Sequence, residues 1–151
     1  MTPVICWFRR DLRLSDNLAL NAAIKTRQPV IPLFVFDKGI LTSERISAAR
    51  LKFMLGGLDA MRTELHKHQR ELLIRYGKPL DVIKALIDET GADALFFNLD
   101  YTPFARERDD AICDALDIDV QTFHDRLLAK PYDIEKNDGG PYVVYTPFKN
   151  K

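Results

Sequence analysis

Short apolar runs alternate along the chain with segments whose apolar positions recur at helical spacing. Five runs rich in strand-forming residues predict strands, and the first two are expected to be buried. They are Val4–Phe8, Val30–Phe36, Leu72–Tyr76, Ala94–Asn98 and Val120–Phe123. A further extended piece is predicted at Tyr142–Tyr145.

The segments between the strands predict helices with recognisable starts and stops. The first follows the capping residues Ser15–Asn17, and the longest follows Ser47 and carries Leu51–Leu65. Two more begin at Pro79 and at the pair Thr102–Pro103. Gly56 and Gly57 lie inside the longest helix, where each costs about 1 kcal/mol relative to Ala. We therefore expect the backbone to pass close to the sheet or to a ligand there.

Alternating strands and helices predict right-handed crossovers, and hence a Rossmann-like α/β fold. We expect a five-stranded parallel sheet in the order 3-2-1-4-5, with helices on both faces. In such sheets ligands bind beyond the strand carboxyl ends, where the winding direction reverses. That point lies between the first and fourth strands, with Phe8–Arg10 on one side and Asn98–Tyr101 on the other. Residues 1–130 form the predicted domain, and the loop-rich residues 131–151 are interpreted as the start of a linker.

Composition narrows the choice of function. The chain has 151 residues, with 22 Lys plus Arg and 22 Asp plus Glu. A module that grips DNA through its phosphates normally carries a basic excess, so we expect no direct grip on DNA here. No apolar stretch is long enough to span a bilayer, and Arg9–Asp11 interrupt the first apolar run, so we expect no signal peptide and a cytoplasmic protein. Cys6 and Cys113 are expected to be buried free thiols.

Several common catalytic and nucleotide-binding motifs are missing. The turn after the first strand, FRRDLRLSDN, contains no glycine, which disfavours a standard dinucleotide site. No P-loop, nucleophile elbow, paired-cysteine or zinc-protease motif occurs. His66 and His68 are expected to be solvated beside a helix end, and His124 is expected at the edge of the core. A binding domain without catalytic or metal-ligating residues is therefore favoured.

Three segments together resemble the photolyase/cryptochrome family. They are WFRRDLRLSDN at Trp7–Asn17, NLDYTPFARERD at Asn98–Asp109 and YTPFKN at Tyr145–Asn150. The resemblance covers the whole chain in the same order. It implies that this is the first, α/β domain, which holds an auxiliary antenna pigment.

The resemblance also implies a second, all-helical domain that holds FAD and lies outside this sequence. In the family, the antenna passes excitation to FAD, and excited reduced FAD splits a pyrimidine dimer by electron transfer. The FAD pocket and the basic DNA groove belong to the second domain. Damaged DNA would therefore be contacted only through the full-length parent, which we expect to be a monomer.

The same resemblance narrows the choice of pigment. Folate-binding members have a polar Asn-Glu pair where this chain has Phe104 and Ala105. The Tyr101–Arg106 stretch is more similar to members that bind a deazaflavin or a flavin. Arg50 and Asp100 match positions that frame the pigment in those members, whereas Thr102 replaces a frequent acidic residue.

The aromatic side chains and arginines expected at the predicted crevice suit a flat, partly anionic ligand. The positive end of the helix that opens at Thr102–Pro103 should point at the crevice. A surface ion-pair cluster is the alternative interpretation of Arg9, Arg10 and Arg13 with Asp11 and Asp16. Arg106–Asp109 are interpreted as an ordinary solvated helix face. The candidate pigment-binding residues are Arg9, Arg10, Phe34, Phe36, Asp37, Arg50, Asn98, Asp100 and Tyr101.

Three functions remain open from the sequence. The first is the antenna domain of a photolyase, which would not catalyse repair by itself. The second is the same domain of a cryptochrome photosensor. The third is a stand-alone nucleotide-binding α/β module without a light function, which the missing glycine-rich phosphate loop disfavours.

Overall fold

The computed structural model describes residues 1–43, 47–125, 127, 133–140 and 142–150. Its five strands are β1 (Val4–Phe8), β2 (Val30–Asp37), β3 (Leu73–Gly77), β4 (Ala94–Asn98) and β5 (Asp119–Phe123). All neighbouring pairs are parallel, in the order β3-β2-β1-β4-β5. The predicted sheet and its winding are confirmed, and the strand bounds differ from the predicted ones by about one residue.

Six helices lie in the described ranges. They are α1 (Leu18–Lys25), α2 (Lys38–Leu41), α3 (Ala48–Lys67), α4 (Pro79–Thr90), α5 (Pro103–Ala115) and α6 (Tyr145–Lys149). Asn17, Ser47 and Thr102 cap α1, α3 and α5 with their side chains, and Gly91 ends α4 in the left-handed conformation. The predicted starts of α1, α3, α4 and α5 are confirmed.

Two apolar layers cover the two faces of the sheet. Phe8, Phe34 and Phe96 pack on the side of α1 and α3, with Leu58 and Met61. The opposite layer contains Trp7 and Phe97 and is closed by α4 and α5. Helices on both faces are confirmed. No helix among the described residues combines the length and apolar composition needed to cross a membrane.

One local prediction was wrong, and the short helix α2 was not predicted. The segment expected to be extended at Tyr142–Tyr145 forms no strand, and Tyr145 already begins α6. Pro147 is tolerated in the first turn of α6, where no backbone N–H is needed. The turn after β2 contains the unpredicted α2, whose N-cap is Asp37; its carboxylate accepts from the Gly39 N–H at 2.9 Å. Pro131, Pro141 and residue 151 of the predicted linker lie outside the described residues.

The two cysteines differ in burial. Cys6 is buried in β1 and is a free thiol, as predicted. Cys113 is also free but exposed, so its predicted burial was wrong; it follows the buried Ile112 on the outer side of α5. Burial raises the pKa of the Cys6 thiol above its ordinary value. Partial desolvation and the nearby carboxylates of Asp109 and Asp110 raise the pKa of Cys113.

Candidate functional site: a crevice at the carboxyl edge of the sheet

The main crevice, of about 300 Å³, opens where β1, β2 and β4 end. Aromatic and aliphatic side chains from β2, α2, α3 and α5 form much of its wall, and Arg9, Arg10, Arg108, Asp37 and Asp100 add charge. Small-molecule sites in proteins usually measure about 300–1,000 Å³ and combine apolar walls with a few polar groups. The crevice therefore has the size and lining of a binding site.

Two further cavities continue the main crevice. The outer pocket, of about 630 Å³, shares Ile40, Met54, Thr102 and Phe104 with it and adds Arg50. The lateral pocket, of about 550 Å³, lies between α2, α4 and α5 and shares Asp37, Phe104 and Arg108 with the main crevice. A ligand held in the main crevice could thus extend in either direction.

Six of the nine candidate residues line the main crevice, and a seventh lines the outer pocket. The six are Arg9, Arg10, Phe34, Phe36, Asp37 and Asp100. Phe34 and Phe36 meet edge to face, with ring centroids 5.1 Å apart. Arg50 lies in the outer pocket. The start of α5 also faces these cavities, since Thr102 lines both and Pro103 lines the outer one.

Asn98 and Tyr101 lie outside the main crevice. Together with Arg9, Arg10 and Asp100 they line a smaller cavity of about 220 Å³ between the ends of β1 and β4. The Tyr101 hydroxyl is hydrogen-bonded to His124 Nδ1 at 2.8 Å, and the two rings stack with centroids 5.8 Å apart. The larger space for a ligand is thus displaced from the predicted position towards β2.

Asn98 joins three chain segments at the carboxyl edge. Its Nδ2 donates to Asp11 Oδ2 at 2.6 Å and to Asn17 Oδ1 at 2.9 Å, and its Oδ1 accepts from the Ala19 N–H at 3.1 Å. All three polar side chains are buried. They fix the end of β4 to the loop after β1 and to the start of α1, which sets the width of the edge.

Arg9 is held by protein groups on several sides. Its Nη1 lies 2.6 Å from Asp109 Oδ1, and its Nη2 donates to the Asn98 carbonyl oxygen. The guanidinium carbon lies 4.6 Å from the Trp7 ring centroid and 4.9 Å from that of Phe97. Burial lowers the pKa of Arg9 below its ordinary value, and the Asp109 carboxylate opposes that shift. Arg9 therefore stiffens the site and offers one face of a cation–aromatic stack.

Arg108 is a site residue that is not among the nine predicted candidates. Its Nη2 donates to Asp109 Oδ1 at 2.9 Å, and its guanidinium lies 5.0 Å from the Trp7 centroid and 5.9 Å from that of Phe104. Both guanidinium groups thus lie close to the Trp7 ring. Its indole N–H has no hydrogen-bond partner among the described residues.

The interpretation of Arg106–Asp109 as a solvated helix face was wrong for Asp109. Its side chain is 3% exposed, and its carboxylate forms ion pairs with both Arg9 and Arg108. A signal was present in the sequence, because Asp109 lies four residues after Ala105 and three before Ile112, on the buried side of α5. Arg108 has comparable spacing, three residues after Ala105 and four before Ile112, and it is half-buried beside that face.

Asp100 closes the crevice on the side of β4. One carboxylate oxygen accepts from the Tyr101 N–H at 2.8 Å, and the Arg10 guanidinium lies 3.4 Å away. Partial burial raises the pKa of Asp100, but these two contacts lower it by more, so its pKa lies below the ordinary value. Burial and the neighbouring Asp100 and Asp125 carboxylates raise the pKa of Tyr101.

An α/β domain with a ligand-sized crevice beyond its strand carboxyl ends is the class of protein that the fold and site define. The family model described as DNA photolyase matches residues 4–151. The chain therefore belongs to the DNA photolyase family, which also contains cryptochromes.

Similar proteins include both branches of that family. A deoxyribodipyrimidine photo-lyase of Agrobacterium fabrum is 39% identical over 149 residues, covering 97% of this chain and 30% of the relative. Cryptochrome-2 of Gallus gallus is 32% identical over 148 residues, covering 95% of this chain and 25% of the relative. The chain thus spans less than a third of either protein.

A solved structure supports the same assignment of fold. The archaeal photolyase of Sulfolobus tokodaii has a TM-score of 0.87 and 31% sequence identity to this chain. The match covers 99% of this chain and 34% of the archaeal protein. That structure is described as containing two FAD molecules, with the implication of a novel light-harvesting cofactor.

Proposed function

We propose that this chain is the antenna-binding domain of a photolyase, with a flat deazaflavin or flavin ring in the main crevice. The observation that carries the proposal is a ligand-sized crevice walled by aromatic rings and arginines at the carboxyl edge of the sheet. When bound, the pigment would supply light absorption. FAD, in a second, helical domain, would supply the electron that splits a pyrimidine dimer in the full-length parent.

The residues of the crevice fit such a ring. Phe34 and Phe36 offer apolar and edge contacts, and Arg10 and Arg50 lie where they can meet anionic oxygens of the ligand. The Trp7 N–H is a buried donor without a protein partner in the described part of the chain. An unmet buried donor costs about 1–3 kcal/mol, so an acceptor on the ligand would be stabilising there.

A deazaflavin or flavin is favoured over a folate. Phe104 lines the main crevice and Ala105 is buried beside it, where folate-binding members of the family have a polar pair. This wall therefore lacks the polar pair that folate-binding members have at that point. The second FAD in the archaeal relative supports a flavin-type ligand in this fold.

A cryptochrome photosensor is the second candidate, and the resemblance to a chicken cryptochrome favours it. The same crevice serves both functions, because the difference lies in the helical domain. In either case we infer that residues 1–130 form the domain, that residues 131–151 begin a linker, and that the parent is a cytoplasmic monomer that reaches DNA through its second domain.

Retention of pigment in an Arg50→Ala variant tests the proposal. Arg50 lies in the outer pocket, and a matched control is Arg62→Ala, an exposed position on the same helix, α3. We expect Arg50→Ala to weaken binding of added riboflavin or deazaflavin at least tenfold, seen as a visible or near-ultraviolet band that travels with the protein. Both variants should unfold at the temperature of the unmodified chain.

Two outcomes would contradict the proposal. Equal pigment retention in Arg50→Ala and Arg62→Ala would remove the role assigned to Arg50. Saturable ATP binding by a chain that binds no pigment would favour a stand-alone nucleotide-binding module.

A further inference from the structure

The lateral pocket lies directly beside the main crevice and has a different chemistry. Lys38, Lys78 and Arg108 line it, against the acidic Asp37 and Glu107, so its lining carries one positive charge in excess. One Asp37 oxygen already accepts from the Gly39 N–H. Within the described residues, no ion pair or hydrogen bond engages the ammonium group of either Lys38 or Lys78.

Arg108 connects the lateral pocket with the main crevice. Its guanidinium is held against Trp7 and Phe104 and against the Asp109 carboxylate, which it shares with Arg9. One carboxylate thus faces two guanidinium groups, and the cationic character of Arg108 is not fully balanced. A guanidinium fixed in this way can bind a phosphate oxygen with little loss of side-chain entropy.

The backbone adds donors to the same cavity. The helix α4, of 12 residues, begins at Pro79, and its N-cap residue Lys78 makes no side-chain capping bond. Pro79 has no N–H, so the first-turn donors available to an anion are the N–H groups of Leu80 and Asp81. The exposed Asp81 carboxylate competes with an anion there. These donors reinforce the three cationic side chains that already face the cavity.

We propose that the lateral pocket is a phosphate subsite, which binds the phosphorylated side chain of a flavin whose ring lies in the main crevice. The inference rests on the proposed function, because it takes the position of the ring from it. It adds a specificity: the domain should prefer a nucleotide-type flavin to one that lacks a phosphate. Lys38, Lys78 and Arg108 would be the residues that determine that preference.

Riboflavin and FMN form a matched pair of probes, since they differ by a single phosphate group. The whole chain would be titrated with each, at low and at high salt. We expect FMN to bind about ten times more tightly than riboflavin at low salt, because charge-assisted hydrogen bonds to phosphate are strong. Added salt should reduce that preference, because exposed charges are screened.

Lysine variants locate the source of the preference. Lys38→Gln and Lys78→Gln should each weaken FMN binding about three- to tenfold and change riboflavin binding by less than about twofold. Lys84→Gln is the control, because Lys84 is an exposed lysine on α4 that lies outside the lateral pocket. It removes the same charge and should leave both affinities unchanged.

The possible results separate this inference from the proposed function. Riboflavin binding without any preference for FMN would overturn the phosphate subsite and leave the antenna assignment standing. A preference for FMN that survives both lysine variants would also overturn it. If neither flavin binds, both the proposal of a flavin-type ligand and the proposal of a phosphate subsite are wrong.

Discussion

Asp109 is the residue on which most of the buried charge at the crevice converges. Its carboxylate lies 2.6 Å from Arg9 Nη1 and 2.9 Å from Arg108 Nη2, and both ion pairs are largely removed from water. A buried guanidinium that loses its carboxylate is costly, because neither water nor another acid replaces the lost partner. The shape of the crevice therefore depends on one acidic side chain that need not touch the ligand.

Removing that carboxylate should destabilise the domain strongly. We expect Asp109→Asn to lower the free energy of unfolding by about 3–5 kcal/mol, because it leaves Arg9 buried without its charge partner. Urea unfolding measures the change. The neighbouring exposed Asp110→Asn should stay within about 0.5 kcal/mol of the unmodified chain. Equal midpoints for the two variants would contradict the role given to Asp109.

The pKa of Asp100 gives a prediction for acid conditions. Its folded pKa lies below the unfolded value of about 3.9, so its contribution to stability is present above that pH and is lost as the pH falls through the folded pKa. An NMR titration should place the pKa of the Asp100 carboxyl below the ordinary value for aspartate. Arg10→Gln should move it upward, and a pKa unaffected by that change would show that the Arg10 contact does not matter.

The two adjacent glycines of α3, Gly56 and Gly57, have different surroundings. A Cβ at Gly57 would come within 3.2 Å of Leu12 Cδ1, whereas a Cβ at Gly56 would meet nothing within 4 Å. The expected close approach of the backbone therefore applies to Gly57, and it is made by a side chain of the loop after β1. The prediction was wrong for Gly56, which faces open space.

Alanine at these two positions should give different results. Gly56→Ala should stabilise the chain by about 0.5–1 kcal/mol, because alanine has the higher helix propensity and less freedom when unfolded. Gly57→Ala should gain less or lose stability, since Leu12 must move to make room. Thermal unfolding of the two variants compares them directly, and an equal gain at both positions would refute the packing described for Gly57.

The elements were predictable because each has a strong local signal. Buried runs such as Val4–Phe8 and caps such as Thr102–Pro103 depend on neighbours in the sequence, and the 3-2-1-4-5 order follows from the geometry of crossovers. The site was less predictable. Arg9 and Asp109 lie 100 residues apart, and only the folded chain shows that they pair. The short α2, which shifts the crevice towards β2, depends on a single capping side chain.

At the scale of the whole molecule, the absence of net charge predicts weak binding to DNA. Equal numbers of acidic and basic residues leave no excess positive charge to release counterions from a DNA backbone. We expect this chain alone to show no saturable binding, up to about 100 µM, to a duplex that contains a thymine dimer. Fluorescence anisotropy at low salt measures this, and micromolar binding that weakens steeply with salt would show that the domain itself contributes a DNA surface.

The same chain alone should not repair DNA, because the described residues form a binding crevice and the proposed FAD belongs to the second domain. Illumination of the chain with blue light in the presence of a dimer-containing oligonucleotide is the assay. Dimer loss above that of an irradiated sample without protein would contradict the claim that repair requires the second domain.

The presence of a single tryptophan allows the central claim to be tested directly. Trp7 lines the main crevice, so a flavin ring bound there should quench its fluorescence. Titration with riboflavin should give quenching that saturates at a stoichiometry of one riboflavin per chain. Quenching that never saturates, or a constant signal from a folded chain, would contradict a pigment site in this crevice.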